Sequence, residues 1–129
     1  MTDPAMWDVA TLSAAFGSGS LSPVEVLSAV RARIAAFEPT INALVRHHAA
    51  TAAALDRESA LAATQSGDRW RRGEPLGPLD GIPVTVKENL ARAGVPLRSG
   101  SAGATPRIPA EDSPVIERLR AAGAVLVGT

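Results

Sequence analysis

The chain has 129 residues, 46% of them hydrophobic, which is enough for the core of one domain of ordinary size. Its 13 basic and 13 acidic residues balance, so no net charge attracts nucleic acid or an anionic membrane surface, and we exclude both as partners. The absence of cysteine excludes disulfides and thiolate metal sites and fits a cytoplasmic location.

The N-terminal sequence predicts two helices and no leader. MTDPAMWDVATL has an early acid and no basic segment ahead of an apolar stretch, and no apolar run in the chain is long enough to span a membrane. The first helix is predicted from Trp7 to Phe16, stopping at Gly17. The second has a capping hydroxyl, a first-turn proline and a capping-box acid, which are Ser22, Pro23 and Glu25. Its apolar stripe is Leu27, Val30, Ile34 and Phe37, and its end is Glu38 and Pro39.

The next segment predicts a third helix and then a loop. Residues 41–45 are suited to a short extended piece, and an alanine-rich helix from about Ala49 to Gln65 is expected to end near Gly67. Residues 67–78 hold three glycines and two prolines among charged residues, which is the composition of a loop. This loop separates a helical layer, about residues 1–66, from the segment that follows.

Residues 79–129 predict a strand, a helix and a second strand. Ile82 to Val86 is a β-branched run in which Pro83 lies near the start. Ser113 and Pro114 begin a helix whose inner side is Val115, Ile116, Leu119 and Ala122. Ala124 to Val127 is continuously apolar, which is typical of a parallel strand covered on both faces. The fold class is therefore α/β, a helical layer followed by a βαβ unit.

Two parallel strands alone leave exposed edges, and this sequence stops two residues after the second strand. We therefore expect residues 1–129 to be the N-terminal fragment of a single domain, completed by neighbouring strands.

Lys87 lies just past the first predicted strand, at the edge where open α/β sheets hold catalytic groups. A lysine in such a position is usually solvated, so the surrounding residues decide its interpretation. GPLDGIPVTVKEN, residues 77–89, resembles the lysine motif of amidase signature enzymes, for which Gly-Pro-Leu-x-Gly-Ile-Pro-Val-x-Val-Lys-Asp-Asn is typical. Glu88 stands where that family more often has aspartate, a change that keeps the charge.

The resemblance covers nearly the whole chain. LSPVEVLSAVRARIAAFEPTINALV, residues 21–45, is similar to the family's N-terminal helix pair, and AGVPLRSGSAG followed by DSPVIERLRAAGAVLVGT is similar to its next loop, helix and strand. One departure is PLRSGS, residues 96–101, where many members carry a threonine pair, so details near Arg98 are not carried over. The family fold implied is a mixed sheet covered by helices.

The resemblance implies a Ser, cis-Ser, Lys triad without metal or organic cofactor. Lys87 would accept a proton from a bridging serine, which activates the nucleophile that forms an acyl-enzyme. An ammonium group cannot accept a proton, so the site has to keep the amine neutral by desolvation and nearby donors. We expect the Glu88 carboxylate to point away from Lys87, because successive strand side chains alternate in direction. The family's Gly-Ser-Ser-Gly-Gly and Gly-Gly-Ser patterns do not occur here, so Lys87 is the only predicted catalytic residue.

Other polar residues are interpreted as ordinary surface or loop features. They are the loop serines Ser99 and Ser101, the adjacent His47 and His48, the solvated turn Arg69 to Arg72, and the solvated helix face with Glu117, Arg118 and Arg120.

The prediction is an amide hydrolase that converts a small-molecule carboxamide to carboxylate and ammonia, with the 129-residue chain inactive alone. One alternative is a non-catalytic interaction module that docks through its open sheet edge. Another is part of a glutaminase subunit of a tRNA-dependent amidotransferase, since such subunits resemble these amidases. The partners left open are accordingly a second copy in a homodimer, or amidotransferase subunits.

Overall fold

The computed structural model describes residues 3–129, so Met1 and Thr2, which begin the predicted helical layer, lie outside the described residues. After a single 3-10 turn at Pro4–Met6, the elements are α1 (Val9–Ser18), α2 (Pro23–Ile41), α3 (Ala49–Arg72), β1 (Pro83–Thr85), α4 (Pro114–Ala121) and β2 (Val125–Gly128). Three helices are followed by a strand, a helix and a strand, and the α/β fold class is confirmed.

The first two helices begin at capping side chains. Asp8 accepts a hydrogen bond of 2.7 Å from the Thr11 N–H, and α1 therefore starts at Val9, two residues after the predicted Trp7. The helix also continues past Gly17 to Ser18. The capping box predicted for α2 is confirmed, and its two members are Ser22 and Glu25.

Helix α2 is longer than predicted. It passes through Pro39 and ends at Ile41, because a proline in the last turn removes one hydrogen-bond donor without breaking the turns before it. Asn42, in the left-handed conformation with φ of 51°, then donates to the Glu38 carbonyl at 2.8 Å. Residues 42–48, which contain most of the predicted extended piece, have no regular structure.

Helix α3 also exceeds its predicted end, because it continues through Gly67 to Arg72 and is capped by Gly73 at φ of 70°. The prediction of a loop over residues 67–78 is therefore wrong for its first half. Gly67 is a weak helix former, but Arg69 and Trp70 in the following turn make tertiary hydrogen bonds that outweigh its propensity.

The two strands are parallel, with Pro83 opposite Val125 and Val84 opposite Leu126. Val125 donates to the Ile82 carbonyl at 2.9 Å, beside the start of β1. On one face of β2, Val125 packs with Leu27 of α2 and Ala63 of α3. On the other face, Leu126 belongs to a buried cluster with Ile116 of α4 and with Val86. The prediction that the second strand is covered on both faces is confirmed.

Part of the predicted apolar surface stays exposed. Val115, assigned to the inner side of the fourth helix, is 45% exposed, whereas Ile116 is fully buried. In the stripe of α2, Leu27 is buried and Val30 and Ile34 are half-buried. Phe37 is 48% exposed with the Arg33 guanidinium 4.9 Å from its ring centre. The stripe is thus progressively less buried toward the end of α2.

Within residues 3–129, no helix combines the length and the apolar character needed to cross a membrane.

Candidate active site at the carboxyl edge of the sheet

Lys87 lies two residues beyond the end of β1, and Thr129 follows the end of β2. Because the strands are parallel, both ends lie at the same edge of the sheet. Lys87 and Thr129 line an open hollow of about 250 Å³, which we call the Lys87 hollow. Its other lining residues are Ala43, Val45, Glu88, Asn89, Ser99 and Gly100.

The Lys87 side chain is exposed. Within residues 3–129 it makes neither a hydrogen bond nor an ion pair. The neighbouring Glu88 carboxylate accepts hydrogen bonds from the backbone of Arg98 and Gly100 instead. Lys87 therefore lines the hollow with a side chain that has no hydrogen-bond or ion-pair partner among the described residues.

Among the described residues the Glu88 carboxylate forms no ion pair with Lys87 and is bonded to a loop instead, but the reason given for its direction does not hold. The alternation argument does not apply, because β1 ends at Thr85 and Glu88 lies in a turn that lines the same hollow as Lys87. Its carboxylate accepts backbone hydrogen bonds from Arg98 at 3.0 Å and from Gly100 at 2.7 Å. These two bonds lower the pKa of Glu88 below its ordinary value. Glu88 thus fastens a loop to the edge of the sheet.

That loop is closed at its base by a pair of backbone hydrogen bonds. Leu97 and Arg107 donate to each other's carbonyls at 2.8 and 3.0 Å. Ser99 has φ of 52° and Gly100 has φ of 77°, so two consecutive left-handed residues form the turn. Ser99, interpreted from sequence as an ordinary loop serine, lines the Lys87 hollow, whereas Ser101 does not.

Asp80 anchors the lysine motif to α3. Its side chain is fully buried and accepts hydrogen bonds from Arg69 at 2.9 and 2.6 Å and from the Leu76 N–H at 2.9 Å. Burial alone would raise the pKa of Asp80, but the hydrogen bonds and charge of Arg69 lower it below its ordinary value. The Trp70 indole donates to the Asp80 carbonyl at 3.0 Å and packs against Phe16. The predicted turn at Arg69 to Arg72 is wrong, because all four residues belong to α3. The predicted solvation holds for Arg71 and Arg72, which are exposed, but not for Arg69 and Trp70, which form this anchor.

Two glycines allow this close packing. A Cβ at Gly81 would lie 2.6 Å from the Ser66 Oγ and 2.7 Å from the Pro23 Cγ, and φ at Gly81 is 85°. A Cβ at Gly123 would meet the Asp80 carboxylate, and its φ is 78°. The two turns, which precede β1 and β2 at the amino edge of the sheet, thus need glycine for space as well as for conformation.

The two histidines have different surroundings. His48 is exposed, as predicted, and its Nδ1 accepts from the Ala50 N–H at 3.5 Å at the start of α3. His47 is half-buried, and burial followed by the positive charge of Arg92 lowers its pKa. In residues 3–129, no group of three His, Cys, Asp or Glu residues could hold a metal ion.

Charged side chains connect α3 to the second half of the chain. Glu58 pairs with the buried Arg92 at 2.9 Å and with Arg120, which also pairs with Asp112 at 2.6 Å. The predicted solvated helix face is therefore wrong for Arg120, because carboxylates from two other segments reach it. The remaining members of that face, Glu117 and Arg118, are exposed.

The sequence predicts Lys87 as a site residue, which stays a prediction, but it does not predict the two carboxylates that fasten the lysine motif to α3 and the Ser99 loop to the motif. The only sequence signal for Asp80 is an acid just before Gly81 in a buried-type segment. No local pattern indicates the role of Glu88, since the loop that it binds begins ten residues later in the chain.

Comparison with known proteins gives one consistent result. The sequence model described as Amidase matches residues 25–129. A glutamyl-tRNA(Gln) amidotransferase subunit from Chloroflexus aurantiacus is 42% identical over 99% of this chain and 25% of its own length. An indoleacetamide hydrolase from Bradyrhizobium diazoefficiens is 36% identical over 95% of the chain and 22% of its own length. The chain thus spans about a quarter of the length of the curated relatives that it matches.

Similarity to solved structures extends this result to the fold. The native peptide amidase from Stenotrophomonas maltophilia superposes with a TM-score of 0.79 and 30% sequence identity. The match covers 96% of this chain and 24% of the peptide amidase.

Proposed function

The chain belongs to the Amidase family, and on that premise we propose that it forms the lysine-bearing part of an enzyme that hydrolyses carboxamides to carboxylates and ammonia. The single observation that carries this proposal is the position of Lys87 in the motif GPLDGIPVTVKEN, beside a hollow at the carboxyl edge of a parallel sheet. We further propose a cytoplasmic location, which the absence of cysteine supports.

In the proposed mechanism, Lys87 accepts a proton from a bridging serine, and this serine activates the nucleophilic serine that attacks the amide carbon. Ammonia leaves as the acyl-enzyme forms, and water then releases the carboxylate. The two serines would come from segments outside this sequence. What supports this arrangement is that no described side chain hydrogen-bonds or pairs with the Lys87 amine, so the amine is free to contact a serine. The segments that supply the serines would also have to desolvate the amine.

We propose that the 129 residues are one part of a single catalytic domain and are inactive alone, because they hold none of the family's serine patterns. The test uses a family-length enzyme, in which residues 1–129 are joined to the remaining segment of an active amidase. We expect ammonia release from a primary carboxamide by this enzyme and none from the 129-residue chain. Ammonia release by the short chain would refute the inactivity proposal. A folded family-length enzyme that releases no ammonia, beside an active parent amidase, would refute the catalytic role of this segment.

A second candidate is the glutaminase-type subunit of an amidotransferase. The observation that favours it is the 42% identity to a protein named as a glutamyl-tRNA(Gln) amidotransferase subunit. In that case the family-length enzyme would release ammonia from glutamine efficiently only with partner subunits. Equal turnover of simple carboxamides with and without partners would favour the independent amidase.

The non-catalytic alternative proposes docking through the open edges of the two-stranded sheet. Light scattering of the 129-residue chain distinguishes it, because a specific module would form defined, concentration-dependent oligomers. A monomer or a non-specific aggregate would contradict that alternative.

A further inference from the structure

We propose that Glu88 is a positioning residue that holds Ser99 in the Lys87 hollow, where the Ser99 hydroxyl hydrogen-bonds the carboxamide substrate and contributes to its selection. This inference rests on the proposed amide hydrolysis and adds a specificity-determining residue to it.

Glu88 holds the loop through two backbone hydrogen bonds. Its Oε1 accepts from the Arg98 N–H at 3.0 Å and its Oε2 accepts from the Gly100 N–H at 2.7 Å. The two bonded residues flank Ser99 on either side. One carboxylate therefore fixes the backbone both before and after Ser99, and each of its bonds is strengthened by the negative charge.

The base of the loop is restrained as well. Leu97 and Arg107 are joined by two backbone hydrogen bonds, which close the loop immediately before the residues that Glu88 holds. The loop is thus attached at its stem and at its first turn. The residues that follow, from Ser101 to Gly103, are exposed.

Ser99 has a strained backbone conformation. Its φ of 52° lies in the left-handed region, which glycine adopts without strain and serine does not. Such a conformation persists only where the surroundings impose it, and here the surroundings are the Glu88 carboxylate and the adjacent Gly100. The strained residue is also the loop serine that lines the hollow beside Lys87.

The Ser99 hydroxyl can hydrogen-bond both polar groups of a carboxamide. A hydroxyl is one donor and two acceptors, so it can donate to an amide carbonyl or accept from an amide NH₂. A primary carboxamide bound next to Lys87 presents both groups. Ser99 is exposed and can make this bond without breaking another side-chain hydrogen bond among the described residues. An ester of the same acid keeps the carbonyl but lacks the NH₂ donors, so Ser99 favours the amide when its hydroxyl accepts from the NH₂.

The test uses the family-length enzyme and two measurements, hydrogen–deuterium exchange of residues 97–104 and steady-state kinetics with a primary carboxamide. Glu88→Gln should speed amide exchange in that peptide about tenfold and raise KM about fivefold, while kcat changes less than twofold. Glu88→Asp keeps a carboxylate and should stay within twofold of the parent in KM. A purely structural role for Glu88 would instead lower the melting temperature and leave KM unchanged.

Ser99→Ala and Ser99→Gly separate the hydroxyl from the backbone. Both variants lack the hydroxyl, so we expect KM to rise about fivefold in both, as the loss of one hydrogen bond predicts. Only glycine also relieves the backbone strain, so a similar KM in the two variants assigns the effect to the hydroxyl. Ser101→Ala, in the same loop but outside the hollow, is the matched control and should keep the parent KM. Parent KM in both Ser99 variants, or unchanged exchange in Glu88→Gln, would overturn the inference.

Failure of the inference is distinguishable from failure of the proposed function. If Lys87→Met abolishes turnover while the Ser99 variants behave like the parent, the amidase proposal stands and the inference is wrong. If Lys87→Met keeps full turnover, the catalytic role proposed for Lys87 is wrong, and a folded family-length enzyme that releases no ammonia refutes the proposed function. In both cases the exchange measurement still decides whether Glu88 holds the loop.

Discussion

Arg69 and Asp80 form an ion pair with two hydrogen bonds, of 2.9 and 2.6 Å, in which the Asp80 side chain is fully buried. The pair joins the last turn of α3 to the segment that leads into β1 and Lys87. The Asp80 carboxylate therefore helps to hold α3 against the lysine motif, together with the bond from the Trp70 indole to the Asp80 carbonyl.

Asp80→Asn should destabilise the fold by about 3 kcal/mol, because it leaves the Arg69 guanidinium without its buried counter-charge. The measurement is urea unfolding of the 129-residue chain, followed by tryptophan fluorescence. Arg71→Met is the control, since its ion pair with Asp68 is largely exposed and should contribute less than about 0.5 kcal/mol. Equal losses in the two variants would contradict the anchoring role of Asp80.

The contribution of Asp80 should also depend on pH. Its pKa is lower in the folded state than in the unfolded chain, so its stabilisation is present above the unfolded pKa, about 3.9, and is lost as pH falls through the folded value. The difference in unfolding free energy between parent and Asp80→Asn should be constant from about pH 7 to pH 5 and shrink below about pH 4. A difference that stays constant to pH 3 would argue against a lowered pKa.

Gly123→Ala should cost more stability than Gly94→Ala, although φ is similar at the two positions, 78° and 74°. At Gly94 a Cβ meets nothing within 4 Å, so only the conformational cost of about 1 kcal/mol applies. At Gly123 the Cβ meets the Asp80 carboxylate, which adds about 2 kcal/mol of overpacking. Thermal unfolding of both variants checks this, and equal melting temperatures would be inconsistent with the contact.

The sequence predicts the parts of the fold that residues adjacent in the chain determine. The Ser22 and Glu25 capping box fixes the start of α2, and the uninterrupted apolar run of β2 indicates burial on both faces. The position of Lys87 at the carboxyl edge of the sheet follows from the β-branched run that predicts β1, because it depends only on where β1 ends.

Features that depend on distant residues were not predictable in this way. The end of α3 is set by contacts of Arg69 and Trp70 with Asp80, which override the weak helix propensity of Gly67. The loop around Ser99 is set by a carboxylate more than ten residues earlier, and no local pattern encodes that attachment.

The central claim is that the amine of Lys87, the only lysine in the sequence, accepts a proton during amide hydrolysis. The most direct test is kcat of Lys87→Met and Lys87→Arg in the family-length enzyme, with unfolding free energies measured in parallel. Arginine keeps the positive charge but cannot accept a proton, so we expect both variants to lose about 10²- to 10⁴-fold in kcat with unchanged stability. A Lys87→Arg enzyme with kcat equal to that of the parent would contradict the account.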